Sequence, residues 1–180
     1  NDCYCSEDII DVDSGGIVGY SATNCTITSC RYYGNINANS AGGILGSNPV
    51  NCSVTSCLTV GNLNANRSGG IVGSNDTSGY IYKCTFEGTI LGTSCGGIVG
   101  YRATNTVIKD CSITGTIGGY GSAGILGSSS NNCNVSVCYS NGDILSNRAG
   151  GIVGSGALFC TIDSCYSMGS VGSIDTSYVE

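Results

Sequence analysis

Apolar positions recur along this chain with one long period. The isoleucine of a (Gly/Ala)-Gly-Ile-(Val/Leu)-Gly run stands at Ile17, Ile44, Ile71, Ile98, Ile125 and Ile152, each 27 residues after the last, with no insertion or deletion. A β-branched column of the same period runs through Ile27, Val54, Ile81, Ile108, Val135 and Ile162, and an aliphatic one through Ile36, Leu63, Ile90, Ile117, Ile144 and Val171. Gly, Asn and Ser separate these columns and punctuate the chain as turns. Each repeat therefore predicts three short strands, near Ile17-Val18, Ile27 and Ile36. The segments are too short, too β-branched and too rich in glycine for helices.

A repeat that hides its apolar face only by stacking on its neighbours builds a solenoid. The expected fold is all-β: a single-domain right-handed parallel β-helix with three short strands per 27-residue coil and, over 180 residues, about 6.7 coils. The hand follows from the rule for parallel crossovers. Coils spaced about 4.8 Å apart give a rod about 30 Å long. The boundaries are a partial coil at 1–14, full repeats at 15–41, 42–68, 69–95, 96–122, 123–149 and 150–176, and a partial coil at 177–180. Paired glycines such as Gly15-Gly16 suit tight corners with φ > 0, and the column starting at Gly34 suits a bend.

Cysteine follows the period too. One column holds Cys3, Cys30, Cys57, Cys84, Cys111, Cys138 and Cys165, unbroken. A second holds Cys25, Cys52, Cys133 and Cys160 but is interrupted at Gly79 and Thr106, so its cysteines survive as adjacent-coil pairs. That survival fits inter-coil disulfides, Cys25 with Cys52 and Cys133 with Cys160, because stacked Cα atoms lie within disulfide range. The competing reading is a ladder of reduced thiols filling a narrow core. A zinc site is disfavoured, since a linear stack does not converge tetrahedrally and the chain has no histidine.

The runs Gly15-Gly16-Ile17-Val18-Gly19 and Gly96-Gly97-Ile98-Val99-Gly100-Tyr101, followed by Ile108-Lys109-Asp110-Cys111-Ser112 and Gly115-Thr116-Ile117, resemble the GLUG-motif repeat family along essentially the whole chain. The resemblance implies a surface or adhesin-like β-solenoid protein and defines no catalytic residue.

Composition narrows the function classes further. With 6 basic and 12 acidic residues the net charge is −6, which removes the counterion-release drive toward a nucleic-acid backbone. No stretch is long and apolar enough to insert in a membrane. Thirteen cysteines together with sequons at Asn24, Asn51, Asn66, Asn75 and Asn134 point to an oxidising, extracellular setting, on a cell or virion surface, with glycans on some of these asparagines.

Catalysis by a β-helix calls for carboxylates converging on one face. Here Asp76, Glu87, Asp110, Asp143 and Asp163 occupy different phases of the repeat, so no catalytic residue, metal ligand or cofactor is assigned and the chain reads as a non-enzyme. The acidic cluster Glu7, Asp8, Asp11 and Asp13 reads as a cap on the first partial coil or a weak cation site. Ice binding ranks low because the outward columns Thr26-Ser53-Tyr80-Val107-Asn134-Thr161 and Thr28-Thr55-Tyr82-Lys109-Ser136-Asp163 carry no regular threonine array. Scattered tyrosines (Tyr4, Tyr20, Tyr32, Tyr33, Tyr101, Tyr139, Tyr166) read as surface cover before they read as a sugar platform. The leading expectation is a β-solenoid that stacks end to end into a glycosylated fibre, since neither end of the sequence carries a capping element and terminal coils would offer unpaired backbone. The alternative is an adhesin-like rod that binds carbohydrate or protein.

Overall fold

The computed structural model of the protein describes residues 2–172. Asn1 and the segment 173–180, including the end of the last repeat and the partial coil expected at 177–180, lie outside the described residues. Throughout the described chain the fold is a parallel β-solenoid with 27 residues per coil and no helix.

Two continuous ladders run along it. Strands β2 (Thr26–Thr28), β4 (Ser53–Thr55), β6 (Tyr80–Tyr82), β8 (Val107–Lys109), β10 (Asn134–Ser136) and β12 (Thr161–Asp163) form one parallel sheet. Strands β1 (Tyr4–Cys5), β3 (Arg31–Tyr33), β5 (Leu58–Val60), β7 (Thr85–Glu87), β9 (Ser112–Thr114), β11 (Tyr139–Asn141) and β13 (Tyr166–Met168) form the other. The third side of each coil is paired through single-residue bridges in the Gly15 and Val18 columns, and the Ile36 column is bridged in the same way. Every pairing joins residues one period apart, as in Ile27↔Val54 and Tyr32↔Thr59. The Val18 column shows the parallel pattern: Val18 N–H donates to Ile44 O (2.9 Å), and Gly46 N–H donates back to Val18 O (2.9 Å).

The sheet through Ile27 stands where the apolar pattern put it. The neighbouring β3 ladder was not among the expected strands, and its inward column explains why. Cys5, Tyr32, Thr59, Phe86, Ile113, Ser140 and Ser167 share that phase, a set with no common chemistry. Tyr32 and Phe86 are nonetheless fully buried. Tyr32 is therefore a core residue, correcting its reading as surface cover. Its hydroxyl accepts from Ile9 N–H (3.1 Å) and faces the Glu7 and Asn35 carbonyls (both 3.0 Å) as acceptors, and burial pushes the phenol up to about 12.

The repeat-core isoleucines Ile44, Ile71, Ile98 and Ile125 are fully buried, while Ile17 and Ile152 in the outer coils are partly so. Beside them run Leu45, Val72, Val99 and Leu126, and opposite lie the Ile27 and Ile36 columns. Inward side chains thus stack on their equivalents above and below, giving one narrow continuous core.

The corners depart from expectation in an instructive way. Gly15 and Gly16 and their equivalents are not left-handed; positive φ occurs instead at asparagines and serines such as Asn24 (54°), Asn51 (53°), Ser29 (56°) and Asn132 (52°). Short polar side chains tolerate that conformation by bonding locally or to their neighbours. Asn51 Nδ2 donates to Asn24 Oδ1 (2.6 Å), and Asn132 Nδ2 to Asn105 Oδ1 (2.7 Å). The paired glycines serve close approach: a Cβ at Gly16 would lie 2.4 Å from Gly43 O and 2.5 Å from the Tyr32 ring. The bend expected along the Gly34 column is present, with φ of 127° at Gly115 and 130° at Gly169.

Candidate functional site

The unbroken cysteine column forms a ladder along the core. Cys30, Cys57, Cys84, Cys111 and Cys138 are buried, while Cys3 is exposed and Cys165 partly so in the outer coils. Each buried sulfur sits in a net of backbone: Cys111 Sγ donates to Lys109 O (3.2 Å), and Cys84 N–H points to Cys111 Sγ (3.4 Å). The same contact recurs from Cys111 N–H to Cys138 Sγ and from Cys138 N–H to Cys165 Sγ, both 3.4 Å.

In the interrupted column, Cys25, Cys52, Cys133 and Cys160 are thiols and not the two disulfides expected. Stacking one residue above its equivalent keeps the Cβ vectors parallel, a poor start for disulfide geometry. The sulfurs turn to carbonyl oxygens instead: Cys52 to Ala22 and Val50 (3.5 Å each), Cys133 to Asn131 (3.4 Å) and Cys160 to Leu158 (3.4 Å).

The interruption has a different cause from disulfide pairing. Asp76 projects into the core and is 1% exposed, in a column otherwise made of Ala22, Pro49, Ala103, Ser130 and Ala157. Its carboxylate occupies the space that a side chain at position 79 would need: a Cβ on Gly79 would lie 2.2 Å from Oδ2 and 2.6 Å from Oδ1. One coil on, Thr106 Oγ1 donates to Oδ2 (2.6 Å). Asp76, Gly79 and Thr106 are therefore one substitution in three parts. Burial raises the carboxyl to about 6, against the pull of the Thr106 hydroxyl and the nearby Gly79 amide, while Oδ1 makes no hydrogen bond of good geometry.

The outer surface holds the remaining candidates. All five sequon asparagines, Asn24, Asn51, Asn66, Asn75 and Asn134, are exposed. Tyr139 and Tyr166 stack with centroids 5.4 Å apart and planes 7° from parallel. In the first coil, Asp8 caps the ladder: its carboxylate accepts from Asn35 N–H (2.7 Å) and Asn37 Nδ2 (3.0 Å), and the Asn35 backbone bond holds its pKa below the usual value. No group of three or more His, Cys, Asp or Glu among the described residues is placed to hold a metal ion.

One corner of the coil carries three arginines, Arg67 and Arg148 in the same column and Arg102 in another. Arg67 and Arg102 both lie over the Tyr101 ring, 5.2 and 4.9 Å from its centroid, and Arg148 lies 5.5 Å over Tyr120. Beside Arg67 opens a cleft of about 320 Å³ lined by Asn39, Asn66, Arg67, Thr93 and Ser94. Backbone fixes its floor: Tyr101 N–H donates to Arg67 O (3.3 Å), Arg67 N–H to Thr93 O (2.9 Å) and Ser94 N–H to Tyr120 O (2.9 Å).

The chain matches no known family model, no curated protein and no solved structure. A role for the rod has to be sought in its own geometry.

For the cysteines that geometry gives protection. Burial pushes the Cys95 thiol up to about 12 and the Cys133 thiol up to about 11, and the thiolate is the reactive form. Brief iodoacetamide treatment of the reduced, folded protein is expected to label Cys3, Cys5, Cys25, Cys160 and Cys165. The eight buried cysteines should react only after unfolding. Peptide mass spectrometry reads the pattern, and labelling of Cys84 or Cys111 at the rate of Cys3 would contradict it.

Proposed function

We propose that this chain is a rod-forming structural segment of an extracellular or cell-surface protein, without catalytic activity, in which coil continues upon coil into a fibre. The observation that carries this reading is the single backbone register that runs from Tyr4 to Val171 without a slip. Regularity of this kind transmits length and stiffness along an axis. It also makes every coil a template for the next, because each presents the same row of backbone donors and acceptors.

Inside the rod the match between successive coils is complete: Ile108 and Ile117 are fully covered by the coils on either side. Head-to-tail contact is heterologous and does not close on itself, so copies joined this way extend as filaments. Five exposed sequons along the sides leave room for glycans on the outside of such a fibre. The likeness of the glycine-isoleucine runs to GLUG repeats supports the same surface setting.

Electron microscopy of the native, unheated protein at dilute concentration tests the proposal. Uniform rods growing in steps of about 30 Å, the rise of one chain's coils, are the expected result. Dispersed single particles across a range of concentrations would overturn end-to-end assembly. The second reading, an adhesin-like rod, is favoured by the stacked pair Tyr139–Tyr166, whose exposed rings offer a flat apolar step for a sugar face.

A further inference from the structure

The corner built by Arg67, Tyr101, Arg102, Tyr120 and Arg148 is chemically unlike the rest of the rod. Three of the six cations of an acidic chain are drawn to it, and among the described residues no carboxylate forms an ion pair with any of them. Unpaired guanidiniums held over rings are an arrangement with a use. The ring meets the face of the guanidinium, while the N–H groups in its plane stay free to fork onto a carboxylate or sulfate.

The remaining lining is neutral and rich in hydrogen-bonding groups. Asn39, Asn66, Thr93 and Ser94 border the cleft, with Asn66 and Thr93 exposed and held in place by backbone bonds: Asn66 N–H donates to Asn39 Oδ1 and Thr93 N–H to Asn66 Oδ1, both 2.9 Å. Because the two oxygens already accept backbone hydrogens, the amide Nδ2 groups remain as donors toward a ligand. The cleft's lining from Asn39 to Thr93 crosses two coil steps, a run of about 10 Å at the spacing of stacked strands. That length suits a short extended saccharide.

We propose that this corner is a binding site for an acidic saccharide, with Arg67 and Arg102, braced over the Tyr101 ring, holding its anionic groups and the Asn-Thr-Ser lining reading hydroxyls. A guanidinium lies beside amide and hydroxyl groups around one cleft, which is the combination a charged sugar requires and a neutral one does not. The site lies on the side of the rod, so it does not depend on end-to-end stacking.

The test uses protein made in a host that adds no N-glycans, since a glycan on Asn66 would itself fill the cleft. Calorimetric titration is run with a galacturonate oligosaccharide, a sulfated heparin-derived oligosaccharide, maltohexaose as the neutral control, and a DNA duplex. Binding of either acidic saccharide, with none of maltohexaose, is expected; the galacturonate and heparin arms separate carboxylate from sulfate recognition. Arg67→Ala and Arg102→Ala should each weaken it about tenfold, the scale of one lost charge-assisted hydrogen bond. Arg31→Ala, on the β3 strand away from the cleft, should leave it unchanged, and circular dichroism checks that each variant is folded. Absence of binding to both acidic saccharides, equal binding of maltohexaose or of DNA, or an equal loss with Arg31→Ala would overturn the proposal.

Discussion

Gly70→Ala is expected to cost roughly 3–5 kcal/mol, a large loss for so small a change. A Cβ at Gly70 would stand 2.1 Å from the Gly97 carbonyl oxygen and 2.4 Å from the Phe86 ring. The oxygen belongs to backbone locked in the coil ladder, and the ring is fully buried, so neither can withdraw. The equivalent positions, Gly16, Gly43, Gly97, Gly124 and Gly151, are all glycine. The adjacent glycine column behaves differently, because the chain itself places Ala123 where Gly96 and Gly69 stand. Gly96→Ala should therefore cost clearly less than Gly70→Ala. Gly118→Ala, where the nearest atom is 3.6 Å away, should stay within about 0.5 kcal/mol of the parent. Urea unfolding of the three variants gives the order, and a Gly70→Ala protein as stable as the parent would refute close approach as the reason for that glycine column.

The second large effect concerns the charge in the core. The folded protein holds the Asp76 proton more tightly than an unfolded chain, about 6 against 3.8. The sign follows: the folded state suffers no penalty below pH 3.8, loses stability as pH rises toward 6, and carries the full cost above it. From the shift that cost is roughly 3 kcal/mol at pH 7. Asp76→Asn should then be more stable than the parent at pH 7, by about 1–3 kcal/mol, and flat between pH 4 and 7. Asp8, whose pKa is depressed by its bonds to Asn35 and Asn37, acts with the opposite sign and only at lower pH. Cys52 and Cys133, whose thiols are pushed up chiefly by burial and slightly by the Asp76 charge, stay neutral across this window.

Geometry couples the same residues independently of pH. Gly79→Cys alone forces its Cβ onto the Asp76 carboxylate and should cost roughly 2–4 kcal/mol. Adding Asp76→Ala rebuilds the Ala22–Cys25 arrangement of the first coil, and most of that loss should return. A double-mutant cycle by thermal unfolding reads the coupling, and strictly additive effects would show that the two residues do not share the space.

The period by itself determined much of this protein. Because every residue pairs with its equivalent one coil away, the spacing of Ile17, Ile27, Ile36 and Cys30 was enough to establish a parallel solenoid of 27 residues per coil and to identify its aliphatic and cysteine columns. Sequence also marked the Gly34 column as a bend. What it could not show is which columns face one another across the coil. Tyr32 and Phe86 reach the core through a column of mixed chemistry, and their rings lie against Gly16 and Gly70, so those glycines answer to cross-section and not to φ. Asp76 and Thr106 meet across 30 residues, and Arg67 and Tyr101 across 34, offsets that a search at 27 passes over. Stacking depends on one repeated interval and can be read along a line. Contacts across the coil depend on where each corner turns the backbone, which only the folded cross-section decides.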